Sequence, residues 1–155
     1  MIVGSHDHWL GAFRNYLGAS AVLHLVWEIV QLPLFTIWRE GTAREIATAI
    51  VHCTAGDLMI ATLSLVTSLL LFGKPSWPRE RFLIVLMSML IIGMAYTIYS
   101  EWLNTVVRKS WVYTPVMPTL PWIGVGLAPL AQWLIVPSIA ILAARWNLGG
   151  IFHRG

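Results

Sequence analysis

Charge is what this chain has least of. Asp, Glu, Lys and Arg make up 11% of its 155 residues, less than half of the roughly 25% usual in a soluble domain. So little charge excludes an ordinary water-soluble globule. Cysteine is nearly absent. Cys53 stands alone in an apolar run, which excludes an intrachain disulfide and leaves a small buried hydrophobe or a lone thiolate ligand. No paired-cysteine metal motif or Ser–His–Asp arrangement stands out. GVG at 124–126 follows no strand and opens no phosphate loop, which argues against nucleotide binding. The ten Lys and Arg residues are scattered among the connections between apolar runs. No basic stripe with interleaved aromatics exists, which excludes nucleic acid as a partner.

What the chain has is apolar length. It is 57% hydrophobic, with a mean hydropathy of +0.72. About 20 apolar residues cross a bilayer core, and four runs qualify, near 16–38, 44–72, 81–107 and 128–145. The fold expected is all-α: a single integral-membrane four-helix bundle over 1–155. The opening MIVGSHDHWLGAFRNY lacks the basic start and short apolar core of a signal peptide. Within it, His6 and His8 flank Asp7, a mobile tail or a small chelating site. Before the fourth run lies SWVYTPVMPTLPWIGVGLAP, with four prolines and two glycines. It is apolar but a poor helix. Its Trp111, Tyr113 and Trp122 suit the membrane interface. The expectation is an ordered interfacial loop over one mouth of the bundle, acting as an aromatic anchor or as a lid.

Four spans put both termini on one side. Arg14, Lys74, Arg79, Arg81, Arg145 and Arg154 fall there, against Arg39, Arg44, Arg108 and Lys109 opposite. The positive-inside rule then places both termini in the cytoplasm, in a bacterial inner membrane.

Five ionisable groups fall inside these runs: His24 and Glu28 in the first, His52 and Asp57 in the second, Glu101 in the third. Each costs about 2.5–3.5 kcal/mol at membrane depth on insertion scales, so the five together imply an enclosed polar site. In the first run Ser20, His24, Glu28 and Gln31 share one helical face bordered by Trp27. Val22, Val26, Ile29 and Val30 lie opposite. In the third, Thr97, Glu101, Asn104 and Arg108 repeat the pattern, with Tyr96 and Tyr99 at its flanks. In the second, Thr48 and His52 share a face, and Cys53, Asp57 and Ser64 share another. Gly56 there permits close helix approach. The fourth offers Gln132, with Trp133 and Pro137 as candidate cavity wall. Glu28 lies roughly 18 Å from the cytoplasmic edge at 1.5 Å per residue. A tilted bundle then brings Glu28, His52 and Glu101 together in its outer half, with Asp57 deeper.

Four uses fit such a site. It could be a polar network tying helices together, alone, in a homo-oligomer or as an accessory subunit of a larger membrane complex. It could do acid–base chemistry on a lipophilic small molecule drawn from membrane lipids. Then Glu28, Glu101 and His24 are the catalytic groups, and Gln31, Trp27, His52, Asp57, Tyr99, Asn104 and Trp133 line the ligand. No cofactor is expected on that reading. It could instead bind iron, zinc or copper through His24, Glu28, His52, Asp57 and Glu101. Proton or ion conduction is the fourth.

HLVWE at 24–28, AYTIYSE at 95–101 and QWLIVPSIAIL at 132–142 resemble the core helices of the emopamil-binding protein family, the EXPERA domain. The second run, with HCTAGD at 52–57, departs from that pattern. The resemblance implies a four-helix membrane core around an apolar pocket with buried acids, and sterol isomerase-like chemistry that shifts a double bond by giving and taking protons. On that implication His24, Glu28 and Glu101 transfer protons, and the Trp133 ring stabilises a carbocation.

Overall fold

A computed structural model describes residues 6–152, with side chains described for 9–145. The SHDH segment and Arg154 lie outside the described side chains. The order is α1 (His6–Gln31), a 3-10 turn (Leu32–Leu34), the short α2 (Ile37–Glu40), α3 (Ala43–Phe72), α4 (Phe82–Trp102), a π-helical turn (Leu103–Val107) and α5 (Leu127–Phe152). Four stretches are long and apolar enough to cross a membrane: Trp9–Leu34, Ala43–Phe72, Phe82–Val107 and Leu127–Arg145. The chain is an integral-membrane four-helix bundle.

Local sequence explains most boundaries. The first run does not continue to residue 38. Pro33 lacks an N–H and restricts Leu32, so α1 stops at Gln31 and a 3-10 turn follows. Towards the N-terminus α1 reaches His6, ten residues before the expected start at 16, and carries the exposed Arg14 on its surface. A capping box opens α3. Thr42 Oγ1 accepts from the Glu45 N–H at 3.3 Å, and Glu45 Oε2 accepts from the Thr42 N–H at 2.8 Å. At its other end Gly73 and Pro75 stop the helix. Pro137 sits inside α5 and removes the helical bond to the Trp133 carbonyl.

α1 packs on α3 and α5, and α4 packs on the same two helices, so the four stand in a ring in the order α1, α3, α4, α5. Their outer faces are apolar: Val22, Val30, Leu70 and Leu83 are all well exposed. In lipid this costs nothing, because acyl chains are as apolar as these side chains. Helix association then rests on close packing and interhelical hydrogen bonds.

The interior is divided along its axis. At the end where α1 begins and α3 finishes it is closely packed and mostly apolar, filled by Ala12, Tyr16, Ala61, Leu65, Val85, Met89, Ala140 and Ile141, with Ser64 and Ser68 of α3 buried at the same end. Gly93 of α4 lies directly under the Trp133 ring, leaving no room for a Cβ. It is the close-approach glycine of the bundle. Gly56 is not: a Cβ there would meet nothing within 4 Å. At the other end α3 loosens. Its buried residues are Ala61, Ser64, Leu65 and Ser68, all in its second half. A cavity fills the space its first half leaves.

The Pro/Trp-rich segment covers that end. Two backbone bonds tie it to the α1–α2 connection: the Thr36 N–H donates to the Val112 carbonyl and the Thr114 N–H to the Leu34 carbonyl, each at 2.9 Å. Of two isolated antiparallel bridges, Phe35 with Tyr113 joins the segment to that connection, and Thr119 with Gly126 folds the segment back on itself. Trp122 is fully exposed, as an interfacial anchor would be, whereas Trp111 lines the cavity.

Candidate functional site

The cavity measures about 460 Å³, within the roughly 300–1,000 Å³ of small-molecule pockets. Every large helix contributes wall: Glu28 and Gln31 from α1, His52, Cys53 and Asp57 from α3, Thr97 and Glu101 from α4, Gln132 and Trp133 from α5.

Its polar centre is the side-chain amide of Gln132. Gln132 Nε2 lies 2.7 Å from Asp57 Oδ2, 2.9 Å from His24 Nδ1 and 3.2 Å from Glu28 Oε1. Gln31 Nε2 donates to the same Glu28 oxygen at 2.7 Å and reaches Gln132 Oε1 at 3.5 Å. Trp27 Nε1 donates to Gln31 Oε1 at 3.1 Å, fixing which way that amide faces. Helical spacing stacks His24, Glu28 and Gln31 on one buried face of α1. Gln132 reaches them from α5, and Asp57 comes across the ring from α3.

An amide nitrogen has two hydrogens, and this one has Asp57, His24 and Glu28 all within reach. His24 Nδ1 also lies 3.4 Å from Asp57 Oδ2. Two carboxyl groups from different helices thus share one amide donor at a cavity wall.

Glu101 stands on α4, across the ring from α1. It accepts a hydrogen bond from the Tyr113 hydroxyl, which in turn accepts from the Gly126 N–H at 3.0 Å. Burial, and then the adjacent Glu101 carboxylate, push the Tyr113 phenol above its ordinary range, so it remains a donor. Thr97 is also buried in the wall, and its Oγ1 has no hydrogen-bond partner.

Most of the expected residues meet here, with corrections. Glu28, Gln31, His52, Asp57, Asn104, Glu101 and Trp133 all line the cavity. His24 does not. It is fully buried behind Gln132, its ring 5.6 Å from that of Trp133, and acts on the site only through its neighbours. Trp27 likewise positions Gln31 and stays out of the wall. Tyr99 points outward and is 55% exposed; a turn of 100° per residue puts Tyr96 on the wall instead. Pro137 is buried away from the cavity. Asp57 belongs to the central cluster and does not lie beyond it, while His52 sits exposed at the rim. Asn104 is bonded to Ser100 of its own helix.

The iron, zinc or copper set is not assembled. No group of three or more His, Cys, Asp or Glu side chains among the described residues is placed to hold a metal ion. His52 is exposed at the rim and Glu101 is bonded to Tyr113, and neither is hydrogen-bonded to the His24–Glu28–Asp57 cluster. Sequence reasoning missed the central part of Gln132, although its isolation as the fourth run's strong polar residue was a signal. The Tyr113 partner of Glu101 had no such signal. No protein-family model matches the chain, and neither a curated protein nor a solved structure does.

Proposed function

We propose that this chain takes an isoprenoid- or sterol-like molecule into the cavity and moves a proton on it. The observation that carries this reading is the pair Glu28 and Asp57, which share one amide nitrogen at the wall of a bilayer-depth cavity. A ligand in that cavity meets Glu28 of α1, Asp57 of α3 and Glu101 of α4 in its walls. One carboxyl gives a proton to a double bond, and another takes a proton from a neighbouring carbon. The double bond shifts and the proton count balances. Trp133 presents a ring against which the transient carbocation is stabilised. His24 and Gln132 are positioning residues that decide which carboxyl holds the proton. Thr97 Oγ1 offers a hydrogen bond to a polar end of the ligand.

The resemblance to the EXPERA domain points to the same isomerase-like chemistry. The basic excess supports a bacterial inner membrane with both termini cytoplasmic, which sets the cavity in the outer half of the bilayer. The mostly apolar packing of the other half argues against a conduction path through the bundle.

The test is purification in mild detergent, followed by mass spectrometry of co-purified lipids and metal analysis, on the native chain and on Glu28→Gln. A stoichiometric neutral lipid bound by both supports the proposal. A stoichiometric metal lost in Glu28→Gln would make the site a metal centre. Absence of any lipid, with a stable protein partner, would make the cluster a structural tie in an accessory subunit.

A further inference from the structure

Who can reach the cavity is decided by which of its walls are sealed. On α1 and α5 the lining residues Glu28, Gln31, Pro129, Gln132 and Trp133 are all buried, so those helices close the cavity completely. The lining residues that are also exposed on the outer surface lie elsewhere. Two are at mid-span on adjacent helices: Met59 on α3, 56% exposed, and Tyr96 on α4, 47% exposed. A side chain that lines the cavity and is still about half exposed stands at an opening in its wall. Met59 is roughly 24 Å along α3 from Ala43, and Tyr96 roughly 21 Å along α4 from Phe82, at 1.5 Å per residue. Both depths fall inside a hydrocarbon core of roughly 30 Å. The gap therefore opens into acyl chains.

The outer mouth differs. The loop tied to the α1–α2 connection lies over it, and the remaining exposed lining residues, His52 at the rim with Arg108 and Ser110, are polar. The first half of α3, which holds no buried residue from Ala43 to Ile60, lacks the packing that would close the seam.

We infer that the seam between α3 and α4 is a lateral portal through which a bilayer-dissolved amphiphile enters, its apolar body passing between Met59 and Tyr96 while its polar end stays at Arg108 and Ser110. This rests on the cavity being a lipid site, as proposed above, but the route can be tested separately from the chemistry. An apolar substrate with one polar end would never leave the membrane, and the acid cluster would meet it already stripped of water.

The chain carries its own reporter. Cys53 is its single cysteine and lines the cavity. The protein is reconstituted in phosphatidylcholine vesicles and treated with N-phenylmaleimide, which dissolves in the bilayer, or with a sulfonated maleimide, which does not. The portal predicts that the lipid-soluble reagent modifies Cys53 faster by roughly 50-fold or more, the ratio set by carrying charge into hydrocarbon. Met59→Trp should slow that reagent several-fold, and Met59→Ala should speed it. Ser110→Trp, at the aqueous mouth, should leave it unchanged. Equal reaction of both reagents, blocked by Ser110→Trp and not by Met59→Trp, would overturn the portal in favour of an aqueous route. Protection of Cys53 from both reagents in the folded protein, with full reaction after denaturation, would overturn it too. The reading is of access alone, so it succeeds or fails whatever becomes of the proton-transfer proposal.

Discussion

Replacing Gln132 by Leu tests the central cluster most directly. The substitution keeps the volume and removes a donor that serves acceptors at 2.7, 2.9 and 3.2 Å. Interhelical hydrogen bonds in membranes average about 0.6 kcal/mol, so three ordinary ones would contribute about 2 kcal/mol. These are not ordinary, since two acceptors are carboxyl groups on different helices. Taking away the donor leaves two buried carboxyl acceptors unsatisfied, at about 1–3 kcal/mol each. The second effect exceeds the first, so the expected loss is about 2–6 kcal/mol. The assay is unfolding in mixed micelles by titration with a denaturing detergent. It is followed by the fluorescence of the chain's nine tryptophans. Ser138→Ala is the control. Its hydroxyl bonds only to the Leu134 carbonyl of its own helix, so its effect should stay within about 0.5 kcal/mol. A loss in Gln132→Leu of less than about 1 kcal/mol would show that Glu28 and Asp57 do not depend on the shared amide, and the pairing of the two carboxyl groups through it would be wrong.

Asp57→Asn should keep fold and ligand while lowering turnover by about 10²–10⁴, the range of general acid–base catalysis; comparable turnover in native and variant would remove Asp57 from the chemistry. Gly93→Ala should cost about 1–3 kcal/mol by overpacking against Trp133, whereas Gly56→Ala should be tolerated, both read by the same detergent titration. Tyr113→Phe should leave Glu101 and the Gly126 N–H without their shared partner and raise amide exchange across the 108–126 loop; unchanged exchange would mean that the hydroxyl does not hold the loop. The raised phenol pKa sets the pH window. The contribution of Tyr113 is complete below about 10, the unfolded value, and is lost as pH rises through the higher folded value, so ultraviolet titration of Tyr113→Phe should lack a late-ionising phenol that the native chain shows. Reporter fusions at the C-terminus and in the 39–44 connection should give opposite signals if both termini are cytoplasmic; like signals would reject that topology.

The sequence by itself determined the class, the helix faces and the presence of a site. Scarcity of charge and four apolar runs specify membrane helices, because hydrocarbon leaves no other way to satisfy a backbone. The inward face of α1 was legible for a local reason. Ser20, His24, Glu28 and Gln31 recur at helical spacing, opposite valines that lipid accepts, and all four are buried. Spacing along one helix cannot say which helix stands opposite. Only the tertiary structure decided that Asp57 meets Glu28 through Gln132, that His24 stands behind the wall, that Glu101 is held by a tyrosine twelve residues on in a loop, and that Gly93, not Gly56, is the point of close contact. Tyr96 and Tyr99 show the same limit. Both border the polar face of α4, and the neighbouring helices determine which of them turns inward. Partners at sequence separations of 75 to 108 residues, such as those of Gln132, are set by the order of helices around the ring, and no local periodicity encodes that order.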